Sequence, residues 1–111
     1  MNMAPSTPTD REFERLANEF LAKHPDVPHE WRQGNSLLTR WTSLICGRGQ
    51  ANEVFASLNR GGQIAVGVTN NEDHQDFEDW GRPVTEEQVA REAFDHFVEL
   101  LRAHGHLRAA V

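Results

Sequence analysis

The residues best suited to chemistry lie in the acidic stretch 70–81, NNEDHQDFEDWG. Asp73, His74 and Asp76 carry carboxylate and imidazole groups that could hold a divalent cation or act as a general acid and base. Their spacing matches neither the calcium-loop pattern nor a zinc-binding histidine pair, and acidic loops are commonly only solvated. We therefore expect no metal and no cofactor, and keep a small metal-dependent enzyme as an alternative.

Other reactive residue types lack the partners that catalysis needs. Cys46 has no CxxC partner and no histidine near it in the sequence, which favours a buried apolar role. His104 and His106 have no third ligand, and His104 falls on the apolar half of a predicted helix, which is typical of a packed or capping residue. The glycine-containing segments 47–49 and 60–62 are too short for phosphate loops. No catalytic site is predicted, so we do not expect an enzyme.

A protein-binding role is better supported, because two large rings stand among five acids and no base. Protein interfaces use such rings as anchors, with surrounding charge that steers and selects the partner. The alternative, which stays open, is that Phe77 and Trp80 fold back over the edge of the core. The predicted contact surface is Glu72, Asp73, Asp76, Phe77, Glu78, Asp79 and Trp80.

The distribution of charge agrees with this choice. Residues 1–70 contain seven acids and seven bases, whereas residues 71–99 contain ten acids against Arg82 and Arg91, a balance of −8 in a chain whose net charge is −6. A protein that binds phosphate backbones needs a basic footprint, so we expect no nucleic-acid binding. The acidic segment favours a basic protein partner or simple solubility.

The element that must position this segment is a helix over Val84 to Gly105. Thr85 and Gln88 can form a capping box at its start, and Gly105 can supply the left-handed residue that ends it. Apolar residues fill about half of the helical wheel. This face needs a broad partner surface, and a sheet from the middle of the chain is the best candidate.

A second amphipathic helix is predicted near the start of the chain. Thr9 and Glu12 form a possible capping box, apolar residues recur at three- and four-residue steps, and Pro25 ends the pattern. His24 lies on its apolar stripe in the last turn, where a structural role is favoured over a catalytic one.

The middle of the chain predicts strands. Leu38 to Cys46 fits either a helix or a strand, and we prefer the strand. Glu53 to Leu58 and Gln63 to Thr69 flank the turn-forming residues 59–62 and indicate a hairpin, covered mainly on one side. His106 to Val111 could be a final strand. The predicted fold is α+β: an antiparallel β-meander with N-terminal and C-terminal helices packed on it and a short closing strand.

The chain is predicted to form one domain over residues 9–111, with residues 1–8 as a disordered tail. A single cysteine excludes an internal disulfide, no apolar run is long enough to span a bilayer, and the first residues do not form a secretory signal. We therefore expect a cytoplasmic protein with no membrane partner. The oligomeric state is left open.

The C-terminal third resembles the small immunity proteins of bacterial polymorphic and contact-dependent toxin systems, including those that block nucleic-acid deaminase toxins. The matching residues are Val84 to Val89, Ala93, Phe94 to Phe97, and the helix end at Gly105. In that family the helix follows a sheet meander and a loop with an acidic or tryptophan-containing approach, and Phe77 to Trp80 could take that place.

This resemblance implies a protein that binds its cognate toxin and covers the toxin's active site without any reaction of its own. A toxin acting on nucleic acid needs a basic groove, for which an acidic loop could compete. Reversing Asp76 and Glu78 to lysine should then slow association and flatten its salt dependence. The alternative within the same chemistry is a phage or mobile-element inhibitor of a host nucleic-acid-processing protein.

Overall fold

The computed structural model describes residues 7–35, 40–47, 49, 52–59, 63–69, 74–78 and 81–107. Within these residues the chain forms two helices and five strands, in the predicted α+β arrangement. The helices are α1 (Pro8–Lys23) and α2 (Glu86–Ala103), and the strands are β1 (His29–Asn35), β2 (Arg40–Cys46), β3 (Val54–Asn59), β4 (Ile64–Val68) and β5 (His74–Phe77).

The strands form an antiparallel meander in which each strand pairs with the next, in the order β1-β2-β3-β4-β5. The predicted hairpin is confirmed as β3 and β4, with Val54 opposite Val68 and Leu58 opposite Ile64. Its turn, residues 60–62, lies outside the described residues. The strand preferred for Leu38 to Cys46 is confirmed over Arg40–Cys46.

Two strands were not predicted. β1 and β5 form the two edges of the sheet, and β5 occupies part of the stretch predicted as an acidic loop. The predicted closing strand is absent at His106 and Leu107, and residues 108–111 lie outside the described residues.

Helix α1 begins earlier than predicted. Thr7, not Thr9, is the N-cap: its Oγ1 accepts a hydrogen bond of 3.2 Å from the backbone N–H of Asp10. Pro8 is the first helical residue, where its fixed φ suits the helix and its missing N–H costs nothing. The predicted tail therefore extends too far, because residue 8 is helical. Residues 1–6 lie outside the described part.

Helix α2 has both predicted ends. Thr85 Oγ1 accepts from the N–H of Gln88 at 3.1 Å, and Gln88 Oε1 accepts from the N–H of Thr85 at 2.8 Å. At the other end Gly105 has φ +78. The N–H of His106 donates to the carbonyl of Leu101 at 2.8 Å, and that of Gly105 to Arg102 at 3.2 Å. These bonds form a Schellman motif, which needs a left-handed residue at Gly105.

One hydrophobic core lies between the helices and one face of the sheet. The Phe13 ring of α1 packs edge-on against the rings of Phe94 and Phe97 of α2, with 6.0 Å between the ring centroids in each pair. The fully buried strand residues beneath the helices include Leu44, Cys46, Val54, Ala56, Ile64 and Val66. Neither helix of the described residues is both long and apolar enough to cross a membrane.

Candidate functional site

The structure describes three of the seven predicted contact residues. Asp76 and Phe77 end strand β5, and Glu78 follows directly. The other four, Glu72, Asp73, Asp79 and Trp80, lie outside the described residues.

These three residues lie together in a cleft of about 490 Å³ between β5 and α2, which we call the acidic cleft. Its lining is completed by Gln75 of β5, Arg82 of the segment that leads to α2, and Glu92 of α2. The acids come from two elements, so the grouping depends on how α2 lies along β5.

The alternation of β5 decides the position of Phe77. Asp76 is exposed, whereas Phe77 is 9% exposed. The Phe77 and His96 ring centroids lie 5.6 Å apart, and Phe77 pairs with Ile64 of the neighbouring strand β4. Of the two positions left open from the sequence, Phe77 takes the one over the core edge. Its ring is a core residue and not an exposed anchor.

Arg82 closes one end of the cleft. Its Nη2 donates to the backbone carbonyl of Glu78 at 2.7 Å and to the carboxylate of Glu92 at 3.0 Å. The guanidinium therefore joins the segment after β5 to α2. Sequence reasoning missed both Arg82 and Glu92, because the two residues are ten positions apart and only the path of the intervening residues brings them together.

The exposed side of α2 continues the negative surface. Glu92, Asp95 and Glu99 recur at steps of three and four residues and all are exposed, so they form one row along the helix, which we call the acidic ridge. Arg91 lies next to this row, but its guanidinium lies 3.9 Å from Glu12 of α1. The His96 ring lies 3.9 Å from the Glu99 carboxylate on the other side.

The candidate metal ligands do not assemble a site in the described residues. No group of three or more His, Cys, Asp or Glu side chains is placed there to hold an ion. His74 Nε2 lies 3.4 Å from Asp76 Oδ1, and Asp73 is outside the described part. His104 is the C-cap of α2, while the His106 ring nitrogen Nε2 lies 2.8 Å from the Asn52 carbonyl oxygen. The two histidines of the HxH pair thus have separate structural contacts, His104 at the end of α2 and His106 with Asn52.

Cys46 is fully buried at the end of β2, as its sequence context predicted. Burial raises the pKa of its thiol to about 12. A thiol with that pKa stays protonated at neutral pH and is a poor nucleophile.

Comparison of the chain with protein-family models, with curated proteins and with solved structures finds no match. Function is therefore inferred from the geometry and charge of this surface.

Proposed function

We propose that this protein is a non-enzymatic inhibitor that binds the basic, nucleic-acid-binding surface of another protein, as a toxin immunity protein would. The observation that carries the proposal is the segregation of charge on β5 and α2. Seven described acids lie on β5, directly after it or on α2, and all are at least partly exposed: Asp76, Glu78, Glu86, Glu87, Glu92, Asp95 and Glu99. Of the three described bases of this region, Arg82 and Arg91 contact acids of the protein itself, whereas Arg102 is exposed in the last turn of α2, three residues after Glu99.

The acidic ridge has dimensions that suit a phosphate-binding groove. At 1.5 Å per helical residue, the seven steps from Glu92 to Glu99 span about 10 Å along the axis. Four phosphates of one nucleic-acid strand, separated by three steps of about 3.4 Å, span roughly the same axial length. A groove lined by lysine and arginine for such a strand therefore presents opposite charges at a spacing that the ridge can meet.

The experiment first identifies the partner by co-purification from the native host, and then measures association with the purified partner. For a charge-steered complex the association rate falls with ionic strength. We expect Asp95→Lys combined with Glu99→Lys to slow association about tenfold and to flatten the salt slope. Asp26→Lys, at an exposed acid outside the acidic segment, is the matched control and should change neither.

A second measurement tests occlusion. The partner alone should bind a labelled oligonucleotide, and the complex should not. A partner that still binds nucleic acid at saturating inhibitor, or ridge variants that associate at the wild-type rate, would refute the proposal. A toxin as the partner supports immunity, whereas a host nucleic-acid enzyme supports the mobile-element alternative.

A further inference from the structure

The face of the sheet opposite the helices is a second surface, which we call the open face. The ladder register places its residues in two rows across the five strands. One row is Glu30, Ile45, Phe55, Gly67 and His74, and the other is Arg32, Ser43, Ser57, Ala65 and Asp76. Both helices lie on the other face, and no helix or strand of the described residues covers this one.

The middle of the open face carries no charge. It contains six residues of β2, β3 and β4: Ser43, Ile45, Phe55, Ser57, Ala65 and Gly67. Ser43 and Ile45 are only 7% and 8% exposed and Gly67 is buried, so the area that a second copy can cover comes from the half-buried Phe55, Ser57 and Ala65. The hydroxyls of Ser43 and Ser57 lie 2.6 Å apart and satisfy each other. Covering this area therefore leaves neither hydroxyl of the centre without a partner.

In one of the two rows the edges of the open face carry opposite charges. On β1, Arg32 Nε lies 2.8 Å from the Glu30 carboxylate, and on β5 the His74 ring lies 3.4 Å from Asp76. One row therefore starts with Arg32 and ends with Asp76. A two-fold axis parallel to the strands reverses the order of strands in a second copy. Arg32 of each copy then faces Asp76 of the other, twice per dimer.

We propose that the open face is the interface of a homodimer, in which two sheets pack face to face about this axis. Five strands about 4.8 Å apart and about 20 Å long give a footprint of roughly 500 Å² per copy. This is below the roughly 800 Å² per partner of a standard interface, so the dimer is reversible and concentration-dependent. The acidic ridge lies on the opposite side, and Asp76 is the residue that this interface shares with the acidic surface of the proposed function. Ridge variants therefore test the proposed function without changing the dimer interface.

The first test is sedimentation velocity of the full chain at concentrations from about 1 to about 500 µM. We expect a monomer–dimer equilibrium that Phe55→Glu weakens at least tenfold, because it places a charge in the uncharged centre. Asp95→Lys, on the other side of the molecule, is the control and should leave the equilibrium unchanged. Circular dichroism checks that each variant keeps its fold.

The second test is a charge swap at two exposed residues, which leaves the packing of the hydrophobic core unchanged. Arg32→Asp and Asp76→Arg, both at exposed positions, should each weaken the dimer, and the double variant should restore it. A wild-type chain that stays monomeric over the whole range, a Phe55→Glu dimer of unchanged strength, or a double variant no stronger than the single ones would overturn the proposal.

Discussion

Among the individual residues, Asp10 is the least favourably placed group of the described core. It is 5% exposed, and its Oδ1 has no hydrogen-bond partner in the described structure. Burial raises the pKa of its carboxyl to about 6, although hydrogen bonds with Thr7 act in the opposite direction. Relative to its protonated form, the Asp10 carboxylate is thus less favourable in the folded protein than in the unfolded chain.

This shift makes stability depend on pH. Because the folded pKa, about 6, lies above the ordinary 3.8, the cost of the charged form is absent below pH 3.8 and complete above about pH 6. Asp10→Asn should therefore raise the free energy of unfolding by about 1–2 kcal/mol at pH 7.5, after allowance for partial solvation. At pH 4 the gain should be close to zero.

Urea denaturation of both proteins at the two pH values measures this difference, with Asp26→Asn at an exposed carboxylate as the control. An equal gain at pH 4 and pH 7.5 would mean that the effect comes from packing and not from ionisation of Asp10.

Among the secondary-structure elements, the segment just after α2 holds the turn just after β2. The His106 ring lies against Gly47, where a Cβ atom would overlap it, and its Nε2 lies 2.8 Å from the Asn52 carbonyl oxygen. Gly47 also has φ +80. This turn therefore needs glycine for two separate reasons, backbone conformation and the space taken by the ring.

Gly49 in the same turn separates these two reasons. It has φ +82, and no described atom lies within 4 Å of the position that a Cβ atom would take there. Gly49→Ala should cost about 1 kcal/mol from the left-handed backbone alone. Gly47→Ala should cost about 1–3 kcal/mol more, because the added methyl displaces the His106 ring. Thermal or urea unfolding of the two variants gives the comparison.

Removing the His106 ring should reduce the difference in stability cost between Gly47→Ala and Gly49→Ala. In a His106→Ala background, the extra cost of Gly47→Ala over Gly49→Ala should largely disappear. If it persists, the ring is not its source, and the contact between the end of α2 and the β2 turn contributes little to stability.

The elements that could be predicted from the sequence are those specified by local signals. Helix α2 has a capping box and a terminal glycine, and the hairpin of β3 and β4 has alternating apolar residues around turn formers. β1 reads HEWRQGN and β5 reads HQDF, neither of which carries a run of β-branched residues. These two edge strands form because a neighbouring strand supplies their hydrogen-bond partners, which a local pattern cannot show.

The site was predictable to a similar extent. The acidic segment, and the closeness of Asp76 and Glu78 within it, could be predicted from the sequence alone. The inward position of Phe77 required knowing that β5 is a strand, because only then does its side chain alternate with that of Asp76. The bond between Arg82 and Glu92 required the tertiary path from β5 to α2.

Over the molecule as a whole, the negative charge is concentrated in residues 71–99, which sum to −8, while the rest of the chain sums to +2. Within the acidic ridge, Asp95 lies one helical turn from both Glu92 and Glu99, and like charges at such spacings destabilise a helix. The ridge therefore works against folding, and a binding role would explain why the cost is retained.

Asp95→Lys tests this relation between stability and binding. The new lysine replaces the repulsions with Glu92 and Glu99 by attractions but turns the attraction to Arg91, four residues earlier, into a repulsion. We therefore expect the free energy of unfolding to rise by about 0.2–0.5 kcal/mol at low salt. Partner association should become slower in the same variant. A variant that is more stable and binds as well as the wild type would show that the ridge charge serves only solubility.

The order of the elements also has a consequence for synthesis. Each strand of the meander pairs with its predecessor, so the sheet can assemble while the ribosome is still extending the chain. Phe13 on α1 and the apolar residues beneath it must wait for Phe97 and Leu101, which are translated after the whole sheet. Nascent chains in which α2 has not yet been translated therefore expose the apolar residues that α2 later covers. Chaperones that bind exposed apolar surface can bind the chain during this time.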